Sequence, residues 1–306
     1  MGQRLLLQLI AVTALMSTFL ACSSGHMTVG RSGKKTIVTT YAILGAVVKD
    51  LVGDEFEVKS EIPNGLDIHE WEPSAKDIEI LTKADLVVEN GIGLEGGMEK
   101  GLAQARKAGV PFFTAADHIV IRTVGAGDDI RNPNQAAGAK DPHLWTDPVA
   151  IMAVADALAI KIKKDFNIDL SMRAADINAR LVALDVEIRE RVNALPKERR
   201  KLVTGHESLG YFAQRYGFKL VGAVIPSLTT EAEGSAAGLE ALKKLIAENH
   251  VKVVFAETGT PPRTVEALAR EATITAIPIT IRNLPPDGSY FTFERNLADD
   301  ILKGLK

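Results

Sequence analysis

Short apolar runs alternate with amphipathic stretches along the first half of this 306-residue chain. Runs rich in β-branched, aromatic and other apolar residues predict strands at residues 36–41, 56–62, 85–89 and 110–113, with a further short extended piece at 118–122. Apolar positions at three- and four-residue steps predict helices between them, near residues 43–51, 73–82 and 95–108. Alternation of this kind is typical of a parallel sheet that is covered by helices.

A long helical pattern in mid-chain separates this region from the next. After a predicted helix from residue 148 to about 165, residues 171–195 contain no glycine and no proline. Their apolar side chains form one stripe, at Ile177, Leu181, Leu184, Ile188, Val192 and Leu195. A helix of that length spans roughly 37 Å. We therefore expect a rigid connection between two lobes, with an ordinary surface helix of one domain as the alternative.

Strand and helix patterns resume after this helix. Strands are predicted at residues 202–204, 219–225, 251–257 and 274–280, and helices near 208–216, 235–249 and 262–271. The expected fold class is therefore α/β, with two lobes, each a parallel β-sheet flanked by helices, joined by one long rigid linker helix. The predicted N-terminal α/β lobe spans residues 36–170, the linker helix 171–197 and the C-terminal α/β lobe 198–306.

The N-terminus has the pattern of an export signal. Arg4 precedes an apolar run at residues 5–21, which is short for a membrane span and ends in small residues. Cys22, the only cysteine, follows Phe-Leu-Ala in a context that resembles a bacterial lipobox, in which the cysteine carries the lipid. We therefore predict a signal peptide at residues 1–21 and a lipidated, flexible tether at 22–35.

Composition adds one exclusion. The formal net charge is −3 and the isoelectric point is about 6.1, and no basic run is interleaved with aromatic residues. Nucleic acid is therefore not an expected partner.

Four residues with metal-binding side chains stand in short, unusual motifs far apart in the chain. They are His69 in HEWEP, His143 in DPHLWTDP, His206 in GHESLGYF and Asp287 in PDGSYF. All four lie on predicted connections, and several follow strands, where parallel sheets place their sites. Three imidazoles and one carboxylate suffice for a tetrahedral transition-metal site. Ligands this distant in sequence converge only if the metal is held between two halves of the protein.

Together these motifs resemble the metal-specific solute-binding proteins of bacterial ABC importers, the zinc/manganese group with the TroA-like fold. The resemblance extends from the signal peptide to the C-terminus and also includes LTTEAEGS at 228–235 and VFAETG at 254–259. It implies that His69, His143, His206 and Asp287 are the metal ligands and that the ion lies in a cleft between lobes. It also implies a monomeric, lipid-anchored extracytoplasmic receptor, on the periplasmic or cell-surface side, that delivers a divalent metal to the membrane subunits of an ABC permease.

The ligand types favour zinc as the transported ion. Histidine at position 206 matches zinc-associated members, whereas manganese-associated members often have glutamate there, and manganese prefers more oxygen ligands. Against zinc, the connection at 123–140 lacks the histidine-rich loop of many zinc importers. Manganese is therefore the next choice, and iron(II) stays open. The candidate partners for the second nitrogen of each imidazole are Glu72, Asp141, Asp147 and Glu257.

Two other functions compete with this interpretation. One is a secreted zinc-dependent hydrolase, but a fourth ligand would close the open position that catalytic zinc needs, and neither HExxH nor GxSxG occurs. We therefore do not expect an enzyme. The other is a surface adhesin for cell adhesion that a metal merely stabilises, in which case loss of the metal would unfold the protein.

Overall fold

A computed structural model describes residues 33–125, 138–231, 234–257 and 259–306. The predicted signal peptide, the lipidation site Cys22 and nearly all of the predicted tether lie outside the described residues. Within the described part of the chain, no helix is both long enough and apolar enough to span a membrane. Residues 34–306 form one compact unit.

The first half of this unit is built on a four-stranded parallel sheet. Its strands are β1 (Lys35–Tyr41), β2 (Phe56–Ile62), β3 (Leu86–Glu89) and β4 (Phe112–Thr114), in the spatial order β2-β1-β3-β4. The helices between these strands are α1 (Ala42–Val52), α2 (Ala75–Thr82) and α3 (Glu99–Lys107). Two further helices, α4 (Pro148–Phe166) and α5 (Ser171–Asn193), follow this sheet in the chain.

The second half repeats the same strand order. Its parallel strands are β5 (Lys201–Thr204), β6 (Lys219–Ala223), β7 (Val253–Glu257) and β8 (Thr275–Ile279), in the order β6-β5-β7-β8. Its helices are α6 (Gly210–Tyr216), α7 (Ala236–Glu248), α8 (Pro262–Ala272) and α9 (Tyr290–Leu305). The predicted α/β class with two parallel sheets is thus confirmed, and each sheet brings the carboxyl ends of its strands to one edge.

The long helix α5 contacts elements of both halves. Its predicted apolar stripe is buried, and it packs against α1 and α4 on one side and α9 on the other. Ion pairs reinforce both contacts: Arg180 lies 3.0 Å from Asp50 of α1, and Arg295 of α9 lies 2.8 Å from Glu187. The helix ends at Asn193, slightly earlier than predicted, because Pro196 prevents its continuation.

One hydrophobic core runs through both halves. It includes Val88 of β3, Leu184 of α5 and Phe255 of β7, all fully buried. A separate, smaller cluster fills the space between the second sheet and helices α7 and α8, and it contains Val254. Because neighbouring residues of a strand point to opposite faces, Val254 and Phe255 mark the two covered faces of this sheet.

Three local features differ from the sequence-based expectation. Helix α9 was not predicted, although Ser289 caps it by accepting a hydrogen bond from the backbone of Thr292 and its apolar face is buried. Pro73 was expected in the first helical turn, but it precedes Ser74, which caps α2 with a capping box. The segment 118–122 is not a strand, since it begins in a short 3₁₀ turn and pairs with no sheet.

The apolar stripe of α5 predicts a clear difference between two neighbouring positions. Leu184→Ala removes a fully buried side chain and should lower the free energy of unfolding by about 2–5 kcal/mol. Val182→Ala is the matched control, since Val182 is half exposed and should change stability by less than about 0.5 kcal/mol. Urea unfolding measures both; equal effects would contradict the packing of this helix.

Candidate metal centre

Three of the four predicted ligands meet in the interior. His69 lies in the connection between β2 and α2, His143 precedes a short turn before α4, and His206 follows β5 directly. Their exposed fractions are 2%, 0% and 0%. One ring nitrogen of each lies within 4.8 Å of the other two, and the ring centroids are separated by 5.0–5.5 Å. The chain thus brings together three imidazoles from connections in both halves.

An aspartate orients His143. Its Nδ1 lies 2.9 Å from Oδ1 of Asp141, which also accepts a hydrogen bond from the backbone of His143, and Arg122 donates to Oδ2 of this aspartate at 3.0 Å. A carboxylate only accepts hydrogen bonds, so Nδ1 carries the proton and Nε2 keeps its lone pair.

A glutamate lies next to His206. Oε2 of Glu257 lies 2.6 Å from Nδ1 of His206, and Ser208 donates to Oε1 at 2.8 Å. Burial alone would raise the pKa of Glu257, but His206 and Ser208 outweigh it and lower that pKa below its usual value. The Nε2 atoms of His143 and His206 face each other, 3.1 Å apart. Such an arrangement attracts a cation.

Burial favours the neutral form of His69 and His143. It lowers the pKa of His69 far below 6.5, and the neighbouring His143, His206 and Arg282 lower it further. Burial also lowers the pKa of His143, although Asp141 partly opposes it. Metal binding requires neutral imidazole, so these two ligands need no deprotonation near neutral pH. Among the described residues, the buried Nδ1 of His69 has no hydrogen-bond partner.

Two glycines make this geometry sterically allowed. A Cβ at Gly205 would collide with the hydroxyl of Thr260, and a Cβ at Gly210 would collide with Asp141 and Arg122. The glycines of the GHESLG motif therefore let the connection after β5 approach the groups that hold His143 and His206.

Asp287 is not part of this cluster. It is exposed, and its carboxylate accepts hydrogen bonds from the backbone of Ser289 at 3.0 Å and the hydroxyl of Thr292 at 2.7 Å. These contacts place it at the start of α9. Among the described residues, no carboxylate joins the three histidines as a fourth member of the group.

The four predicted partners of the imidazoles have different positions. Asp141 and Glu257 contact ligand rings, as described above. Asp147 instead caps α4 through the backbone of Val149 at 2.9 Å and pairs with Arg215 at 2.8 Å. Glu72 is exposed.

Sequence reasoning missed two charged residues at the site, Arg282 and Asp67. Arg282 is 3% exposed, and its Nη1 lies 2.5 Å from Oδ2 of Asp67. Asp67 also accepts hydrogen bonds from the backbone of His69 at 3.0 Å and from Thr230 at 2.8 Å. One signal was available: Arg282 follows β8, at the edge where β5 delivers His206.

A buried set of three imidazoles on connections from two α/β halves defines a protein that binds a transition metal ion. Residues 37–304 match the family described as zinc-uptake complex component A, periplasmic (ZnuA). The chain therefore belongs to this family of metal-binding solute-binding proteins of ABC transporters, which are not enzymes.

Named relatives differ in their metal. The manganese ABC transporter substrate-binding lipoprotein PsaA of Streptococcus pneumoniae is 30% identical over 308 residues, covering 95% of this chain and 96% of PsaA. The iron ABC transporter substrate-binding lipoprotein MtsA of Streptococcus pyogenes is 29% identical over 323 residues, covering 100% and 99%. The structure of the periplasmic zinc-binding protein TroA of Treponema pallidum has a TM-score of 0.77 and 26% identity, covering 89% of this chain and 99% of TroA. The TroA-like fold is thus confirmed, and the specific metal is not fixed by the family.

The depressed histidine pKa values predict a pH effect on the metal-free protein. Between a lowered folded-state pKa and the ordinary value of 6.5, the unfolded chain binds more protons than the folded one. This contribution to stability is therefore complete above pH 6.5 and is lost as the pH falls below it. His69→Gln should flatten the dependence, by up to about 1.4 kcal/mol per pH unit.

Urea unfolding of chelator-treated protein from pH 5 to 7.5 measures this effect. The wild type must be compared with His69→Gln, because other buried groups also make stability depend on pH. Burial raises the pKa values of Glu61 and Glu95 to about 7, so their contribution to stability falls as the pH rises, opposite to that of the histidines. Identical pH profiles for the wild type and His69→Gln would contradict the prediction.

The contact between Glu257 and His206 predicts a loss of metal affinity on substitution. Glu257→Gln should weaken metal binding by about 10- to 100-fold, because the ring loses the carboxylate that orients it. Asp287→Asn is the control and should leave the affinity unchanged, since Asp287 lies outside the cluster. Competition titration with a metal indicator measures both, and a larger loss in Asp287→Asn would return Asp287 to the ligand set.

Proposed function

We propose that this chain is the extracytoplasmic receptor of an ABC importer and that it captures one zinc ion with His69, His143 and His206. The observation that carries the proposal is the convergence of three buried imidazoles whose ligand nitrogens lie within 4.8 Å of one another. Tetrahedral zinc with Zn–N bonds of about 2.0–2.1 Å separates its nitrogen ligands by roughly 3.3 Å. The 3.1 Å between the Nε2 atoms of His143 and His206 is close to that separation.

The donor set supports zinc over manganese and iron(II). All three donors are imidazole nitrogens, and in the described part of the chain no carboxylate oxygen accompanies them. Imidazole suits zinc, whereas manganese favours carboxylate, carbonyl and water ligands. The relatives named for manganese and iron keep those two metals as the alternatives.

The packing of the two halves suggests how the ion would be released. A shared core and the contacts of α5 with α1, α4 and α9 resist a wide opening of the cleft. Release would then require docking on the permease, which loosens the connections that carry the histidines. We assign residues 36–170 and 198–306 to the two lobes, with 171–197 as the linker between them.

The proposal includes membrane attachment through Cys22 after removal of residues 1–21, with 22–35 as the tether. PsaA and MtsA are both described as lipoproteins, which supports this anchor. It would hold a monomeric receptor beside the permease, on the extracytoplasmic side.

Metal analysis tests the proposal. The chelator-stripped domain, starting at Thr36, should stay folded, take up one zinc per chain in competition with manganese, and lose this zinc as His206→Ala. His250→Asn is the matched control, because His250 is exposed and has a positive φ that asparagine tolerates.

Three results would contradict parts of this proposal. Manganese retained against available zinc would change the metal and keep the function. Unfolding of the stripped domain, seen by circular dichroism, would indicate a structural metal, as in the adhesin alternative. Failure to bind either metal would remove the proposed function.

A further inference from the structure

A buried cation lies beside the three histidines. Arg282 is 3% exposed, and its positive charge contributes to the lowered pKa values of both His69 and Glu257. Its Nη1 forms an ion pair with Asp67, but neither Nη1 nor Nη2 has a hydrogen-bond partner in the described structure. A guanidinium cannot lose its proton, so these buried N–H groups need an acceptor.

The charged residues around the site do not supply a negatively charged ligand for the metal. Asp67 is paired with Arg282, and Asp141 is paired with Arg122, so each pair is neutral. Glu257 is engaged by His206 and Ser208. A divalent ion on the three imidazoles would therefore lie near the guanidinium of Arg282, while the carboxylates of Asp67 and Asp141 are engaged by arginines.

The coordination of the metal also lacks one ligand among the described residues. Tetrahedral zinc takes four donors, and the described residues supply three. Asp287 faces Ser289 and Thr292 instead of the cluster. A fourth donor placed between the metal and Arg282 would complete the coordination and also accept a hydrogen bond from the guanidinium.

We propose that the metal is captured together with a small planar oxyanion, a carboxylate or hydrogencarbonate, which bridges the ion and the guanidinium of Arg282. This inference rests on the proposed metal-binding function. One oxygen of the anion completes the coordination of the metal, and another accepts a hydrogen bond from Nη2. The planar fork of a guanidinium matches this class of anion, and the anion's charge separates the two cations.

Two carboxylates of the described residues are internal competitors for this position. One is Asp67, which accepts the backbone N–H of His69 and would be available to the metal if it left Arg282. Glu231 is the other, because its Oε1 and the backbone oxygen of His69 both lie close to Gly96, at 3.2 and 3.3 Å from the Cβ that this glycine lacks. Either carboxylate as fourth ligand would make metal binding independent of added anions, which separates these arrangements from the proposal.

The test measures zinc affinity at fixed ionic strength with and without the anion. Protein is stripped and titrated with zinc against a chelating indicator, in degassed sulfonate buffer with sodium perchlorate. Formate and hydrogencarbonate then replace perchlorate in separate series, with free zinc determined in each. Wild-type affinity should rise by about 5- to 150-fold, the usual range of coupling between two ligands. A rise with hydrogencarbonate alone identifies the inorganic anion, and a rise with both identifies carboxylates in general.

Two variants test whether the anion dependence of zinc affinity arises from the guanidinium of Arg282. Asp67→Asn/Arg282→Met removes the ion pair without leaving a lone buried charge, and it should bind zinc with no anion dependence. Arg215→Met is the matched control: this arginine pairs with Asp147 and Asp185 away from the histidines, so the anion dependence should persist. Labelled ¹³C-formate or ¹³C-hydrogencarbonate should co-elute with zinc-loaded wild type at one per metal.

The outcomes distinguish this inference from the proposed function. If zinc binds with the same affinity in every buffer, the proposed anion is contradicted and the proposed receptor function is kept. Loss of zinc affinity in Asp67→Asn or Glu231→Gln would then indicate which carboxylate is the fourth ligand. If zinc does not bind in any buffer, the proposed function itself fails. Anion dependence that survives in the double variant would overturn the role of Arg282.

Discussion

The convergence of His69, His143 and His206 in a dry interior is the constraint on which the site depends. Burial disfavours the protonated forms of His69 and His143, which would compete with a metal, and Asp141 fixes the tautomer of His143. The Nε2 atoms of His143 and His206 are held 3.1 Å apart. A cation bound by both nitrogens would use this spacing, so the packing favours the filled site.

The scaffold meets this constraint by joining two similar sheets through a continuous core. Because one cluster of apolar side chains includes strands of both sheets and α5, a change in the cleft must disturb well-packed side chains. The connection after β5 also packs closely against buried groups, because a Cβ at either glycine of GHESLG would collide with a neighbouring side chain. Close packing of this kind limits how far the connections that carry the histidines can move.

Arg282 gives this site a charge distribution different from that of a simple three-histidine, one-carboxylate centre. The pair with Asp67 holds a guanidinium beside the ligands, and its Nη2 has no acceptor among the residues that the structure describes. Selectivity would then depend on the anion that accompanies the metal as well as on the donor atoms. The relatives named for manganese, iron and zinc show that the common fold alone does not choose the metal.

The sequence by itself determined the alternation of strands and helices, the stripe of α5 and the three histidines, because these depend on local periodicity and on motifs with unusual composition. It also allowed α9 to be found from a capping serine and regularly spaced apolar residues, although that signal was overlooked. Only the tertiary structure decided that Asp141 and Glu257 contact the rings, that Asp147 caps a helix, and that Arg282 occupies the site while Asp287 stays at the surface. The physical reason is that a charged side chain's role depends on which distant groups surround it, and neither spacing nor residue type carries that information.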